Sequence, residues 1–159
     1  MAHLNSSYES FETYLNSFAD VYYAVDLKAL NNSGVSGTAI LGVDLDNRTV
    51  NISISADNLT PNVGHAQHIH GLFDEDGTPL DSKTPTLSDD ADQDGFIEVL
   101  EGVPSYGDVV LPLDDPNGMF PVTAPDGSLT FIQSYSLDDD SEFVSPVTGV
   151  QYTGDDILP

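Results

Sequence analysis

The chain has 159 residues, 39% of them hydrophobic, enough for one domain with a single core and short for two. Its 27 acidic residues (21 Asp, 6 Glu) face 3 basic ones, a formal net charge of −24, which excludes nucleic acid and anionic membrane as partners because both need basic patches. With no cysteine, disulfides, thiolate metal sites and cysteine nucleophiles are excluded as well.

So much like charge destabilises a compact state by self-repulsion unless salt screens it or bound cations neutralise it. A saline or calcium-bearing medium is therefore expected. No run of 18 apolar residues occurs, so no membrane insertion is expected. Met1-Ala2-His3-Leu4 shows neither the basic region nor the apolar core of a signal peptide, which fits a cytoplasmic protein, a mature chain or an excised domain of a secreted protein.

In chain order, Tyr8, Phe11, Leu15, Phe18 and Tyr22 recur near the helical period behind a Ser6-x-x-Glu9 capping box, which predicts a helix over residues 7–20. Beyond it the chain reads as β. Strands are expected over 21–30, 35–45 and 49–56, joined by Asn31-Asn32-Ser33-Gly34 and Asp46-Asn47 turns. Val50, Ile52 and Ile54 share one face and Asn51, Ser53 and Ser55 the other, as in a half-buried antiparallel strand. A break at 59–64 leads to a histidine-bearing strand, 65–73, and then to a long acidic connection, roughly 74–95. Further strands are expected at 96–100, 109–113, 120–123 and 128–136. The sum is an all-β, antiparallel Greek-key sandwich or barrel over 21–137, with an N-terminal helical segment (1–20) and an irregular acidic C-terminal segment (138–159).

Within the acidic connection, residues 90–101 fill a twelve-position calcium-loop template. Asp90, Asp92 and Asp94 supply carboxylates at positions 1, 3 and 5, and Gly95 the sharp turn at position 6. Phe96 offers its backbone carbonyl, Glu98 a water-mediated contact and Glu101 a bidentate carboxylate. Calcium takes 6–8 hard oxygen ligands from a flexible loop, and this segment provides that inventory. Because Phe96, Ile97 and Val99 look like strand, the expectation is a calcium loop without a helix pair, ordered by its ion rather than driving a hinge. Asp74-Glu75-Asp76-Gly77 offers a second, weaker cation site or a plain turn. Asp114-Asp115 and Asp138-Asp139-Asp140 are paired acids of the kind glycosidases use, and more commonly solvated charge.

His65, His68 and His70 carry the other chemistry. His-x-His on a strand puts two imidazoles on one face about 6.6 Å apart, a half-site for copper or zinc, while His65 points to the opposite face unless the backbone bends. The bland alternative is that the rings bond to backbone or to Asp74 and Asp76 and brace the strand.

His65-x-x-His68-x-His70-Gly71 after several antiparallel strands resembles the copper-ligand strand of Cu/Zn superoxide dismutases. It is equally similar to the histidine signature of chordin-type CHRD domains, a resemblance that runs from about 21 to 113 through Ser36-Gly37-Thr38-Ala39, the hairpin 43–54 and Leu59. The dismutase resemblance implies His68 and His70 as copper ligands and His65 as structural. It stops there, because no histidine follows His70 and copper redox cycling needs three or four nitrogen ligands. The CHRD resemblance implies a β-sandwich and an extracellular or cell-surface setting. The expectation is thus a non-enzymatic, calcium-binding β-sandwich module with divalent cations as its ligands; the alternative is a copper-binding, dismutase-like protein.

Overall fold

The structure is a computed structural model that describes residues 19–158. The helix expected over 7–20 lies, but for its last two positions, outside the described residues. Among these residues there are seven strands, β1 (Val21–Leu27), β2 (Ser36–Asp44), β3 (Thr49–Asp57), β4 (His68–Phe73), β5 (Pro79–Leu80), β6 (Asp108–Pro112) and β7 (Leu129–Ser136), with one helix, α1 (Val99–Tyr106), between β5 and β6. They form two antiparallel sheets, β1-β2-β3-β7 and β5-β4-β6, so the fold is of the all-β class that the alternation implies.

Two compact units divide the chain. The first, residues 19–28, 35–63 and 122–137, holds the four-stranded sheet. Its buried face is set by strand periodicity: Val50, Ile52, Ile54 and Ala56 of β3 are buried, and so are their neighbours Leu129, Phe131 and Tyr135 of β7. Asn51, on the other face of β3, is buried too and accepts a hydrogen bond from Ser134 Oγ at 2.5 Å. The β2–β3 turn is closed by Asp44, whose carboxylate accepts from Asn47 N–H at 2.8 Å and from its amide Nδ2 at 2.7 Å.

The second unit, residues 29–34, 64–121 and 138–159, holds the three-stranded sheet, the acidic loop and α1. Ile97, Val109, Val110, Leu111, Leu113 and Phe143 are its buried apolar residues. Three expectations are corrected by the structure. The strand expected over 96–100 is absent: 96–98 are irregular and 99–100 open α1, because Glu98 and Glu101 bond reciprocally as a capping box around the first turn and nucleate helix where a short apolar run reads either way. The segment 120–123 joins neither sheet: Pro121 has no N–H for a ladder, and its carbonyl instead accepts from His65 N–H at 3.0 Å. The histidine strand starts at His68 rather than His65.

Residues 138–158 are more ordered than their composition implies. They include two short 3₁₀ turns, Asp140–Glu142 and Gly154–Ile157, a bridge between Val144 and Gln151, and the buried Phe143 and Ser145.

Candidate functional site

The acidic loop folds on its own carboxylates. Asp90 accepts from Gln93 N–H at 2.7 Å with one oxygen and from Gly95 N–H at 2.9 Å with the other; Asp92 accepts from Asp94 N–H at 3.2 Å, and Asp94 from Phe96 N–H at 2.8 Å. Each Asp thereby turns the chain back within two to five residues, which converts the alternate spacing into a coil of carboxylates. Gln93 (φ 63°) and Gly95 (φ 91°) supply the left-handed residues this path needs.

From the far end of the loop Glu101 reaches back. Its Oε1 accepts from Ala91 N–H at 2.7 Å, and its Oε2 from Glu98 N–H at 3.1 Å. Two overlapping groups of acids result, Asp90–Asp92–Asp94 and Asp92–Glu98–Glu101, in each of which one carboxylate oxygen per residue lies within 4.8 Å of the others. The five carboxylates of the twelve-residue pattern thus fall into two groups of three, linked through Asp92. The donors are hard oxygens only, a set that suits a divalent cation of the calcium type.

Like charges this close disturb one another. Glu98 is raised above the usual carboxylate range, chiefly by its hydrogen bond with the Glu101 carboxyl, and Glu101 is lowered, chiefly by that same bond.

Two features of the site lie beyond what motif reading finds. α1 begins at position 10 of the loop, so Glu101 is fixed by a helix on the exit side, although no helix enters. And Asn31, from a turn 66 residues away, grips the loop: its Oδ1 accepts from Ile97 N–H at 2.9 Å while its Nδ2 donates to the Ile97 carbonyl at 3.0 Å. This amide does for the buried Ile97 what a neighbouring strand would do. The sequence marks Asn31 only as a turn residue, which it also is, at φ 56°.

No family model matches the chain, and neither does any curated protein or solved structure.

Asp74–Gly77 forms a turn between β4 and β5. Asp74 Oδ1 accepts from Asp76 N–H at 3.0 Å and Thr78 N–H at 2.8 Å, which commits the Asp74 carboxylate to the turn, where Asp76 contributes only its backbone N–H. Asp115 is likewise absorbed by its own turn, accepting from Asn117 and Met119 N–H groups at 2.8 and 3.0 Å. Asp114 and Asp115 line a recess of about 240 Å³ with Glu142; burial raises both Asp114 and Glu142.

Of the three histidines, the structure brings two together. The rings of His68 and His70 stand edge-to-face with centroids 5.7 Å apart, half-buried on one face of β4, and the register against β6 shifts between Ile69 and His70. His70 Nδ1 lies 3.3 Å from the Gly107 carbonyl and its ring 4.2 Å from that of Tyr106; His68 meets the Phe120 ring edge-on at 5.5 Å. Burial lowers both histidines, and the neighbouring His70 lowers His68 further; for His70 the Gly107 carbonyl and Asp108 oppose the shift. His65 precedes the strand. Among the described residues no group of three converging ligands includes a histidine.

Proposed function

We propose that this chain is a calcium-binding β-module without catalytic activity of its own, in which residues 90–101 take one divalent cation. The observation that carries the reading is the gathering of Asp90, Asp92, Asp94, Glu98 and Glu101 on a loop whose spacing is that of a twelve-position calcium site. The ion would be held by these carboxylates and the Phe96 carbonyl. Its chemistry is electrostatic: it neutralises crowded charge in a chain of net charge −24 and orders the loop. An extracellular or cell-surface setting belongs to the same proposal, supported by the CHRD resemblance and by an acidity that favours saline, calcium-bearing surroundings.

Calorimetric titration tests it. Calcium should bind with one-to-one stoichiometry, and Glu101→Gln, which keeps an acceptor for Ala91 N–H but loses the charge, should weaken binding by about tenfold or more, equivalent to about 1.4 kcal/mol. Absence of calcium heat at millimolar concentration sinks the proposal. Because a cation binds the ionised carboxylates, affinity should fall as pH drops far enough to protonate them, Glu98 ahead of Glu101 because its value is raised and that of Glu101 lowered.

A second reading rests on the histidines. The His68 ring makes no hydrogen bond among the described residues, and burial favours the neutral, ligating form of both rings, so His68 and His70 would supply two nitrogens to copper or zinc. Titration with Cu(II) of the wild type and of the His68→Ala/His70→Ala double variant decides it; equal binding by both removes the histidines from consideration.

A further inference from the structure

We propose that β1 is a self-association edge, along which two copies of this chain pair antiparallel about a two-fold axis at Ala24 to make one continuous eight-stranded sheet. Among the described residues β1 is the outer strand of its sheet, and all seven of its residues pair with β2 without a register break. Edge strands usually carry a proline, a bulge or inward-pointing charge against further pairing. β1 has no proline or bulge, and its one charge, Asp26, lies on the face of Tyr22 and Ala24, opposite the apolar one.

That apolar face, Val21, Tyr23, Val25 and Leu27, continues across the sheet into Val43, Leu41 and Ala39 and then into Val50, Ile52 and Ile54. Burial falls off along this row, from Ile52 at 0% exposed to Tyr23 at 44% and Val25 at 43%. The apolar layer of the sheet therefore runs to the edge and into solvent. A second strand there would extend it.

Charge selects the occupant and the register. Directly opposed residues of an antiparallel pair turn their peptide groups the same way, so the two-fold axis between identical strands falls on a residue and not between two. Three centres overlap most of β1. Centred on Tyr23, the pairing sets Asp20 against Asp26 of the other copy, a like-charge clash. Centred on Val25, it sets Lys28 against Tyr22 and Asp26 against Ala24, with no opposite charges. Centred on Ala24, it sets Asp20 against Lys28 at both ends and Tyr23 against Val25 twice on the apolar face, ion pairs and aromatic–β-branched pairs that both stabilise cross-strand neighbours. Lys28 is one of only three cations in the chain, is exposed, and makes no ion pair among the described residues. Mutual repulsion of two copies at −24 opposes the pairing at low salt and is screened as salt rises.

The test uses the full chain, which has no cysteine of its own. Ala24→Cys places two thiols across the axis, whereas Asp26→Cys faces Tyr22. Under mild oxidation at about 1 M NaCl, where the Debye length is about 3 Å, the first should form a disulfide dimer about tenfold faster than the second. In sedimentation equilibrium the wild type should shift from monomer to dimer as salt rises. At about 0.15 M NaCl, where the Debye length is about 8 Å and these ends are less screened, Asp20→Lys and Lys28→Asp should each weaken the dimer about tenfold, and an equal mixture of the two should restore it, since only the mixed dimer has opposite charges at both ends. Equal crosslinking of the two cysteine variants, or a wild type monomeric at every salt concentration, overturns the proposal. A dimer indifferent to the charge variants overturns the register and with it the axis at Ala24.

Discussion

Single side chains hold together segments that the sequence shows as separate. Asn31 spans 66 positions to satisfy both backbone groups of Ile97, which is 7% exposed. Asn31→Ala leaves a buried N–H and a buried carbonyl unpaired, at about 1–3 kcal/mol, and should lower the midpoint of thermal unfolding by several degrees. Asn31→Asp keeps the acceptor for the N–H but sets a carboxylate oxygen against the Ile97 carbonyl where Nδ2 had donated, so it should not restore the midpoint. Asp108 does similar work for the C-terminal segment, accepting from Ser145 Oγ at 2.7 Å, Tyr152 Oη at 3.0 Å and the Thr148 hydroxyl. Burial, the largest single influence, raises this carboxyl, but the hydrogen bonds from Thr148, Ser145, Val109 N–H and Tyr152 together outweigh it and hold it below its ordinary value. Its contribution to stability is therefore present above the unfolded carboxylate range and is lost as pH falls through the lowered folded value. Asp108→Asn should flatten the acid limb of the stability–pH curve. Tyr152 answers at the other end of the scale, pushed up to about 12 by burial first and by Asp108 second. A spectrophotometric titration should show one tyrosine ionising near there, and Asp108→Asn should bring it down. Neither residue stands out in the sequence, because a lone Asp among 21 is informative only once its partners are known.

Elements are legible where periodicity is long and ambiguous where it is short. β2, β3 and β7 fall within a residue or two of their expected bounds because eight or nine alternating positions fix a strand. Val99-Leu100 reads as strand in the sequence because two apolar residues carry no period; the Glu98–Glu101 capping box is the local signal for α1, and in the calcium template the same two residues pass for ligands alone. α1 ends at Gly107, at φ 86°, where an added Cβ would stand 2.0 Å from the Gly71 carbonyl oxygen of β4. Backbone strain and backbone overlap both oppose a side chain there, so Gly107→Ala should cost about 3 kcal/mol or more, read as a midpoint lower by at least about 6 °C. The same close approach brings the Gly107 carbonyl to the His70 ring, so the variant should also move the His70 resonances in an NMR spectrum.

Across the protein in its entirety, charge dominates. With −24 on 159 residues, salt alone should raise the unfolding midpoint by screening, and calcium should raise it further at fixed ionic strength through a site that salt cannot fill. At a calcium concentration 100 times Kd the added stability is about 2.7 kcal/mol, a rise of roughly 5–11 °C that a chelator reverses. A midpoint equal in calcium and in sodium at matched ionic strength would reduce calcium to one more screening ion. Residue order along the chain suffices for whatever depends on near neighbours: the all-β class, from alternation; the carboxylate loop, from the fixed spacing of Asp90, Asp92, Asp94 and Glu101; and the pairing of His68 with His70, from the two-residue repeat of a strand. Folding alone settles which groups meet: that Asn31 braces Ile97, that the Asp74 carboxylate bonds within its own turn, and, among the described residues, that no third ligand joins the histidines and that β1 leaves an apolar row open at the edge of its sheet. Spacing along a backbone is set by covalent geometry and can be read directly, whereas which distant groups meet is settled by packing, and packing is a property of the folded chain.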